Sequence, residues 1–223
     1  MQDAPKVLAL VGGRPFLEIL IEHFLSQGFN RIILSVGYLK EKIREHFINH
    51  RFSEAARIEF SEEDIPLGTG GAIKNLRHLI GSDHFLVVNG DSFCPADLFS
   101  FYESHVKNDA LISLVLSEIE DGSDCGSVEI GKDGKVLSFR EKDHSLEEKN
   151  KLVSAGIYFM KKEIFDLMPE EDSFSIEKDF FPKVLENCHG FVTKEKFIDI
   201  GTPGRYEKAQ KMFSSPNALD LKR

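Results

Sequence analysis

Two aspartates stand where an apolar run gives way to glycine, and a carboxylate in such a place can do chemistry. Asp91 follows His84-Phe85-Leu86-Val87-Val88-Asn89-Gly90, and Asp199 stands inside Phe197-Ile198-Asp199-Ile200-Gly201-Thr202-Pro203. Ligands of open α/β sheets bind in the crevice at the carboxyl ends of strands. A carboxylate there can hold Mg²⁺, which takes one or two carboxylates and completes its shell with water and substrate phosphates. Taken singly, Asp91 reads equally well as a cap on the next helix, and Asp199 as an exposed residue of an edge strand. A third stretch, Pro66-Leu67-Gly68-Thr69-Gly70-Gly71-Ala72, sets glycines just ahead of a helix. Glycine lets backbone approach a ligand closely, and a helix N-terminus favours an anion. The stretch lacks the GK[ST] ending of a P-loop, so a plain capped loop stays open. In Phe139-Arg140-Glu141-Lys142, Glu141 can accept from sugar hydroxyls and Lys142 can meet a phosphate. Neighbouring opposite charges are also ordinary on surfaces.

Such groups need elements to hold them. Apolar residues at helical spacing run from Pro15 to Leu25 and stop before Gly28, a C-cap signal. Arg31 to Val36 is a β-branched run, Lys40 to Phe47 a helix, Ala56 to Phe60 a strand, Ala72 to Leu79 a helix and His84 to Asn89 a strand. This alternation predicts an α/β fold with a mostly parallel sheet and helices on both faces. From Ala110 to Ser117, Ser127 to Ile130 and Val136 to Phe139 the pattern changes. With a turn signal at Lys132-Asp133-Gly134-Lys135, it predicts antiparallel pairs. Leu152 to Met160 reads as a strand, with helices near Lys162 to Leu167 and Glu177 to Glu186. His144 to Lys151 reads as an exposed loop, and Ser215 to Arg223 as a flexible tail after a domain spanning 1–214.

Composition narrows the function classes. The 223 residues carry 28 Lys and Arg against 37 Asp and Glu, a net charge of −9. Such a chain has no excess cation with which to cover a nucleic-acid backbone. It can still bind a nucleotide through a local Lys, backbone N–H groups and a divalent metal. The three cysteines, Cys94, Cys125 and Cys188, form no CxxC pair, which argues against structural zinc and for a reducing compartment. No signal-peptide pattern and no membrane-length apolar run stands out, and a cytoplasmic location is expected.

The order of the pieces says more than any one of them. Asp3-x-Pro5-Lys6, Gly13-Arg14-Pro15-Phe16-Leu17, Leu67-Gly68-Thr69-Gly70-Gly71-Ala72, Asn89-Gly90-Asp91, Gly126, Phe139-x-Glu141-Lys142, Ala155-Gly156-Ile157-Tyr158 and Phe197-Ile198-Asp199-Ile200-Gly201-Thr202-Pro203 follow in one line. This set resembles the sugar-1-phosphate nucleotidyltransferases, from Asp3 to about Met212. The Leu-Gly-Thr-Gly-Gly-Ala-Ile form is most similar to the heptose-1-phosphate and mannose-1-phosphate guanylyltransferase branch. The resemblance implies a Rossmann-like mixed sheet with a small antiparallel sugar-binding lobe. It implies transfer of a nucleoside monophosphate, from GTP in that branch, to heptose or mannose 1-phosphate, as in lipopolysaccharide or capsule precursors, with Mg²⁺ as cofactor.

By the same resemblance Asp91 and Asp199 hold Mg²⁺ and, with Lys6 on phosphate, carry catalysis. Glu63, Gly68, Thr69 and Gly90 serve the nucleotide, and Gly126, Glu141, Lys142 and Glu177 the sugar phosphate. Three departures stand out. Only five residues precede Lys6, where the family has a first strand and a Gly-x-Gly-Thr-Arg loop, so that strand and loop are expected to be missing from this chain. Val7 follows Lys6, and Ser154 replaces the Asn found before Ala-Gly-Ile-Tyr in many members. The expectation of an unpaired inner edge adds a possible homo-oligomer, and an inactive binding or scaffold protein is the alternative to an enzyme.

Overall fold

The computed structural model describes residues 4–48, 51–119, 127–140 and 151–214. In chain order it opens with a short 3₁₀ turn over Lys6–Leu8, then β1 (Leu10–Val11), β2 (Arg14–Pro15), α1 (Phe16–Ser26), β3 (Arg31–Val36), α2 (Lys40–Phe47) and β4 (Arg57–Glu62). Next come α3 (Gly68–Asn75), β5 (His84–Val88), β6 (Ser92–Phe93), α4 (Leu98–Lys107), β7 (Ile112–Ile119), β8 (Ser127–Ile130) and β9 (Val136–Arg140). The last elements are β10 (Lys151–Lys161), β11 (Cys188–Thr193), β12 (Ile198–Asp199) and α5 (Pro203–Phe213). The chain divides into two compact units, the first made of Met1–Pro66, Gly90–Pro95 and Ile198–Arg223, the second of Leu67–Asn89 and Ala96–Phe197.

In the first unit α1 is apolar nearly all round and is buried accordingly, with Phe16, Leu17, Ile19, Leu20, Ile21 and Phe24 in the core. It ends as the sequence predicts, with Gly28 at φ +90 just beyond its cap. β3 and β4 pair in parallel, Arg31 opposite Arg57 through Val36 opposite Glu62. The connection between them carries α2, which buries only Ile43 and Phe47 and leaves its charged face to water. β6 and β12 pair antiparallel, with Asp199 opposite Ser92 and Ile198 opposite Phe93.

The second unit is built on a four-stranded sheet ordered β11-β7-β10-β5. β11 runs parallel to β7, and β10 runs antiparallel to both β7 and β5. β7 is buried on both faces from Ile112 to Ser117, which explains its nearly unbroken apolar run. Ile112, Leu114, Leu116, Tyr158, Met160, Phe180 and Phe181 belong to its core. The expected hairpin is present as β8 and β9, Val128 opposite Phe139, turned at Gly134 with φ +83.

The mixed α/β architecture matches the expectation, and three details differ from it. The ladder beside β5 is antiparallel, because the eleven-residue β10 lies between β5 and β7. The helix expected over Glu177 to Glu186 is instead a π turn over Ile176–Phe180 followed by 3₁₀ turns at Phe181–Lys183 and Leu185–Asn187. Pro182 supplies the reason: it has no N–H to donate and its ring clashes with the carbonyl one turn back. The segment after β10 is likewise a 3₁₀ turn, Lys162–Asp166, rather than a full helix.

Candidate functional site

Two groups of polar residues stand out, one in each unit. In the first unit Lys6 reaches Asp91, with Nζ 2.6 Å from Oδ2. Gly90, just before Asp91, lies beside Val7: a Cβ there would make ordinary contact with Val7 Cγ1 at 3.5 Å. Ile200 N–H donates to the Asp91 carbonyl at 3.0 Å, so the backbone ties the strand of one aspartate to the other. Asp199 is buried, and each of its oxygens accepts a hydrogen bond. Its Oδ1 accepts from Gly201 N–H at 2.7 Å and its Oδ2 from Arg205 Nη1 at 2.8 Å. A Cβ on Gly201 would stand 2.8 Å from Asp199 Oδ1 and 3.7 Å from Lys6 Nζ. The glycine therefore keeps open a notch between the ammonium of Lys6 and the carboxylate of Asp199.

Asp91 and Asp199 are hard oxygen donors that could hold a small divalent ion, which fills its remaining positions with phosphate oxygens and water; Lys6 and Arg205 compete with such an ion for the two carboxylates. Among the described residues no group of three or more His, Cys, Asp or Glu converges to hold a metal. Glu63 stands at the carboxyl end of the β3·β4 pair. Its N–H donates to Val36 carbonyl at 2.8 Å and its carboxylate accepts from Ser35 Oγ at 3.2 Å.

In the second unit the glycine-rich stretch packs against a neighbouring loop. Gly68 has φ +68, and a Cβ there would come within 2.6 Å of the Phe174 carbonyl oxygen. Gly70 N–H donates to that same carbonyl at 2.9 Å. Thr69 Oγ1 accepts from Ile176 N–H at 3.0 Å. The close approach that these glycines permit is thus to Phe174, to its carbonyl at Gly68 and to its ring at Gly70, and it fixes the turn that carries Glu177. Glu177 accepts a hydrogen bond from the hydroxyl of Tyr158, which accepts in turn from Ser154 Oγ at 3.2 Å. Burial, followed by the charge of Glu177 and the bond to it, pushes the Tyr158 hydroxyl well above its ordinary pKa.

The structure brings Lys6, Gly90, Asp91 and Asp199 together in the first unit, and Gly68 and Thr69 with the turn that carries Glu177 in the second. Gly126, Glu141 and Lys142 lie outside the described residues. Arg205 was not foreseen. The signal for it was in plain sight: Thr202 before Pro203 is an N-cap followed by proline at the first helical position. Thr202 Oγ1 does accept from Arg205 N–H, at 3.4 Å, and so the first turn of α5 carries the guanidinium. Tyr158 was read as part of a strand and of the family motif, and Ser154 as a departure from it, neither with a role at the site.

The first-unit group sets two carboxylates, a lysine and an arginine around Gly201, and comparison with known proteins shows the family of the chain. Residues 1–215 match the Nucleotidyl transferase family, and the chain belongs to it. Over 213 residues it is 34% identical to the D-glycero-alpha-D-manno-heptose 1-phosphate guanylyltransferase of Aneurinibacillus thermoaerophilus, which covers 95% of this chain and 90% of that relative. The protein of the same name from Campylobacter jejuni is also 34% identical, over 92% of this chain and 89% of its own length. Among solved structures, HddC from Yersinia pseudotuberculosis superposes with a TM-score of 0.86 at 38% identity, covering 95% of this chain and 91% of that one. A second structure of HddC, complexed with GMP-PN, gives 0.85.

Proposed function

We propose that this chain transfers GMP from GTP to D-glycero-α-D-manno-heptose 1-phosphate, or to mannose 1-phosphate, releasing pyrophosphate. The observation that carries the reading is the Lys6, Asp91, Asp199 group around the Gly201 notch. The base and sugar follow the names of the relatives. Those relatives are named as transferases, and the scaffold alternative is not favoured. In the reaction an oxygen of the sugar phosphate bonds to the α-phosphorus of GTP. The bond from that phosphorus to the bridging oxygen breaks, and pyrophosphate leaves with that oxygen.

No covalent bond to the protein forms, so the chain's work is alignment and neutralisation of charge. Lys6 meets a phosphate as a point charge. Asp91 and Asp199 would hold Mg²⁺, which when bound neutralises charge on the phosphates. Arg205 and Gly201 N–H hold Asp199 in one orientation. Glu63, Gly68, Thr69 and Gly90 are assigned to the nucleotide, and Gly126, Glu141, Lys142 and Glu177 to the sugar phosphate. Among the described residues no helix is long and apolar enough to cross a membrane, which is compatible with work in the cytoplasm.

The test is pyrophosphate release with GTP, dTTP, CTP and UTP against heptose, mannose and glucose 1-phosphates in Mg²⁺. Turnover should favour GTP with a manno-configured sugar. Turnover that favours another base, or none with any pair, would sink the proposal. Direct Mn²⁺ binding, read by electron paramagnetic resonance, should be weakened about tenfold or more by Asp91→Asn and by Asp199→Asn.

A further inference from the structure

Tyr158 is 1% exposed, in the core of the second unit, yet its hydroxyl does more than satisfy itself. Gly156 N–H donates to Ser154 Oγ at 3.2 Å, Ser154 Oγ–H to the Tyr158 oxygen at 3.2 Å, and Tyr158 O–H to Glu177 Oε1. All three bonds point the same way, from backbone to carboxylate. Aligned hydrogen bonds polarise one another, so each strengthens the next in a dry interior.

Two backbone irregularities put this relay together. The pairing of β10 with β7 shifts register between Ser154 and Tyr158, and Gly156, between them, has φ +68. Asn89 occupies the space that a side chain at position 156 would take: a Cβ there would lie 2.6 Å from Asn89 Nδ2. On the receiving side Glu177 sits in the π turn Ile176–Phe180, held by Thr69 Oγ1 and by Ser175 Oγ, which accepts from Lys178 N–H. Bulges re-aim side chains, and π turns recur at functional sites.

A buried tyrosine hydroxyl needs a partner in any case, but a ring kept only for packing need carry no hydroxyl. The Tyr158 ring already packs edge-on against Phe181 at 5.3 Å, and phenylalanine would make the same contact. The hydroxyl instead fixes one oxygen of a half-buried carboxylate. An ionised carboxylate offers about four lone-pair directions, and one held in place can accept from the hydroxyls of a polyol.

We infer that Ser154 and Tyr158 are positioning residues that fix Glu177 as the hydrogen-bond acceptor for a hydroxyl of the sugar 1-phosphate. This rests on the assignment of Glu177 to the sugar side made above. Ser154, where many relatives have Asn, then becomes part of how this chain selects its sugar.

Isothermal titration of D-glycero-α-D-manno-heptose 1-phosphate and of mannose 1-phosphate, each alone, into the whole chain tests the inference. Tyr158→Phe should weaken sugar-phosphate binding about tenfold, the loss expected for one hydrogen bond to a charged group. GTP binding, titrated separately, should stay within about twofold. Ser154→Ala should weaken the sugar phosphate about threefold, and Ser154→Thr, which keeps the hydroxyl, should restore it. The serine pair decides the matter even if Tyr158→Phe fails to fold. Unchanged sugar affinity in Tyr158→Phe and Ser154→Ala overturns the inference, as does equal weakening of GTP and sugar phosphate. So does a wild-type chain that binds neither sugar phosphate. Wild-type binding that follows the expected pattern without pyrophosphate release would leave the inference standing and remove the transfer reading.

Discussion

The two ion pairs of the first unit set distance against solvent. Lys6 and Asp91 are the closer, at 2.6 Å, but their side chains are 46% and 37% exposed. Arg205 and Asp199 are 2.8 Å apart and only 22% and 10% exposed. Coulomb attraction varies little between those distances and several-fold between a wet and a dry surrounding. Double-mutant cycles with alanine should therefore give a coupling below ~1 kcal/mol for Lys6–Asp91. Arg205–Asp199 should give about 1–3 kcal/mol, the range of a hydrogen bond between charged groups short of full burial. The bond from Gly201 N–H to Asp199 is lost in both the single and the double variant, so it cancels from the cycle. Because the sequence contains no tryptophan, urea unfolding is best followed by far-UV circular dichroism. A Lys6–Asp91 coupling equal to or above that of Arg205–Asp199 would refute the reasoning.

Other outcomes follow from burial and from glycine geometry. His23 and His105 are buried, and desolvation lowers both to a pKa of about 4. Their folded values lie below the unfolded one, so the unfolded chain binds more protons and stability falls as pH drops below about 6.5 towards 4. Each histidine should cost about 2 kcal/mol between pH 7 and pH 5; denaturant midpoints that do not move over that range would contradict this. Gly71→Ala would put a Cβ 2.0 Å from the Asp172 carbonyl oxygen. It should destabilise by more than about 2 kcal/mol. Gly204→Ala, in the first turn of α5 with nothing within 4 Å of its Cβ, should stabilise by about 0.4–1 kcal/mol. Thermal unfolding of the two alanine variants should move in opposite directions.

How much of this was legible in the sequence differs by element. α1 and β3 read correctly as helix and strand, one from helical apolar spacing closed by Gly28 and the other from Ile32, Ile33 and Val36, although β3 was expected to be buried and only Val36 is. α4 was missed although Asp97 caps it, accepting from Phe99 and Ser100 N–H. Its buried residues, Leu98, Phe101 and His105, fall at helical spacing, but the exposed Phe99, Tyr102 and Val106 blur the stripe. α3 begins at Gly68, ahead of the predicted Ala72, because Phe174 and the backbone around it fit against glycines that propensity alone would leave in a loop. The two aspartates were visible as strand-end carboxylates, but only the ordered motif set paired them. Arg205 and the Ser154–Tyr158–Glu177 relay depend on which side chains meet across 6, 4 and 19 positions. Neither periodicity nor a local motif encodes such meetings.

The first unit is stitched from three stretches of chain that alternate in sequence with the two stretches of the second. Its Lys6–Asp91 contact spans 85 positions, and the partner strand of β6 lies only at Ile198–Asp199. On a ribosome, which releases the chain from its N-terminus, the second unit can have all its strands as soon as Phe197 has emerged. The first must then still wait for β12 and α5. Its early segments, including the apolar α1, have to remain unfinished while the second unit is made, which exposes them to the hazards of partly folded chains. Asp199, the last of the proposed phosphate-handling groups to appear, therefore makes competence for transfer wait until the whole second unit has been synthesised.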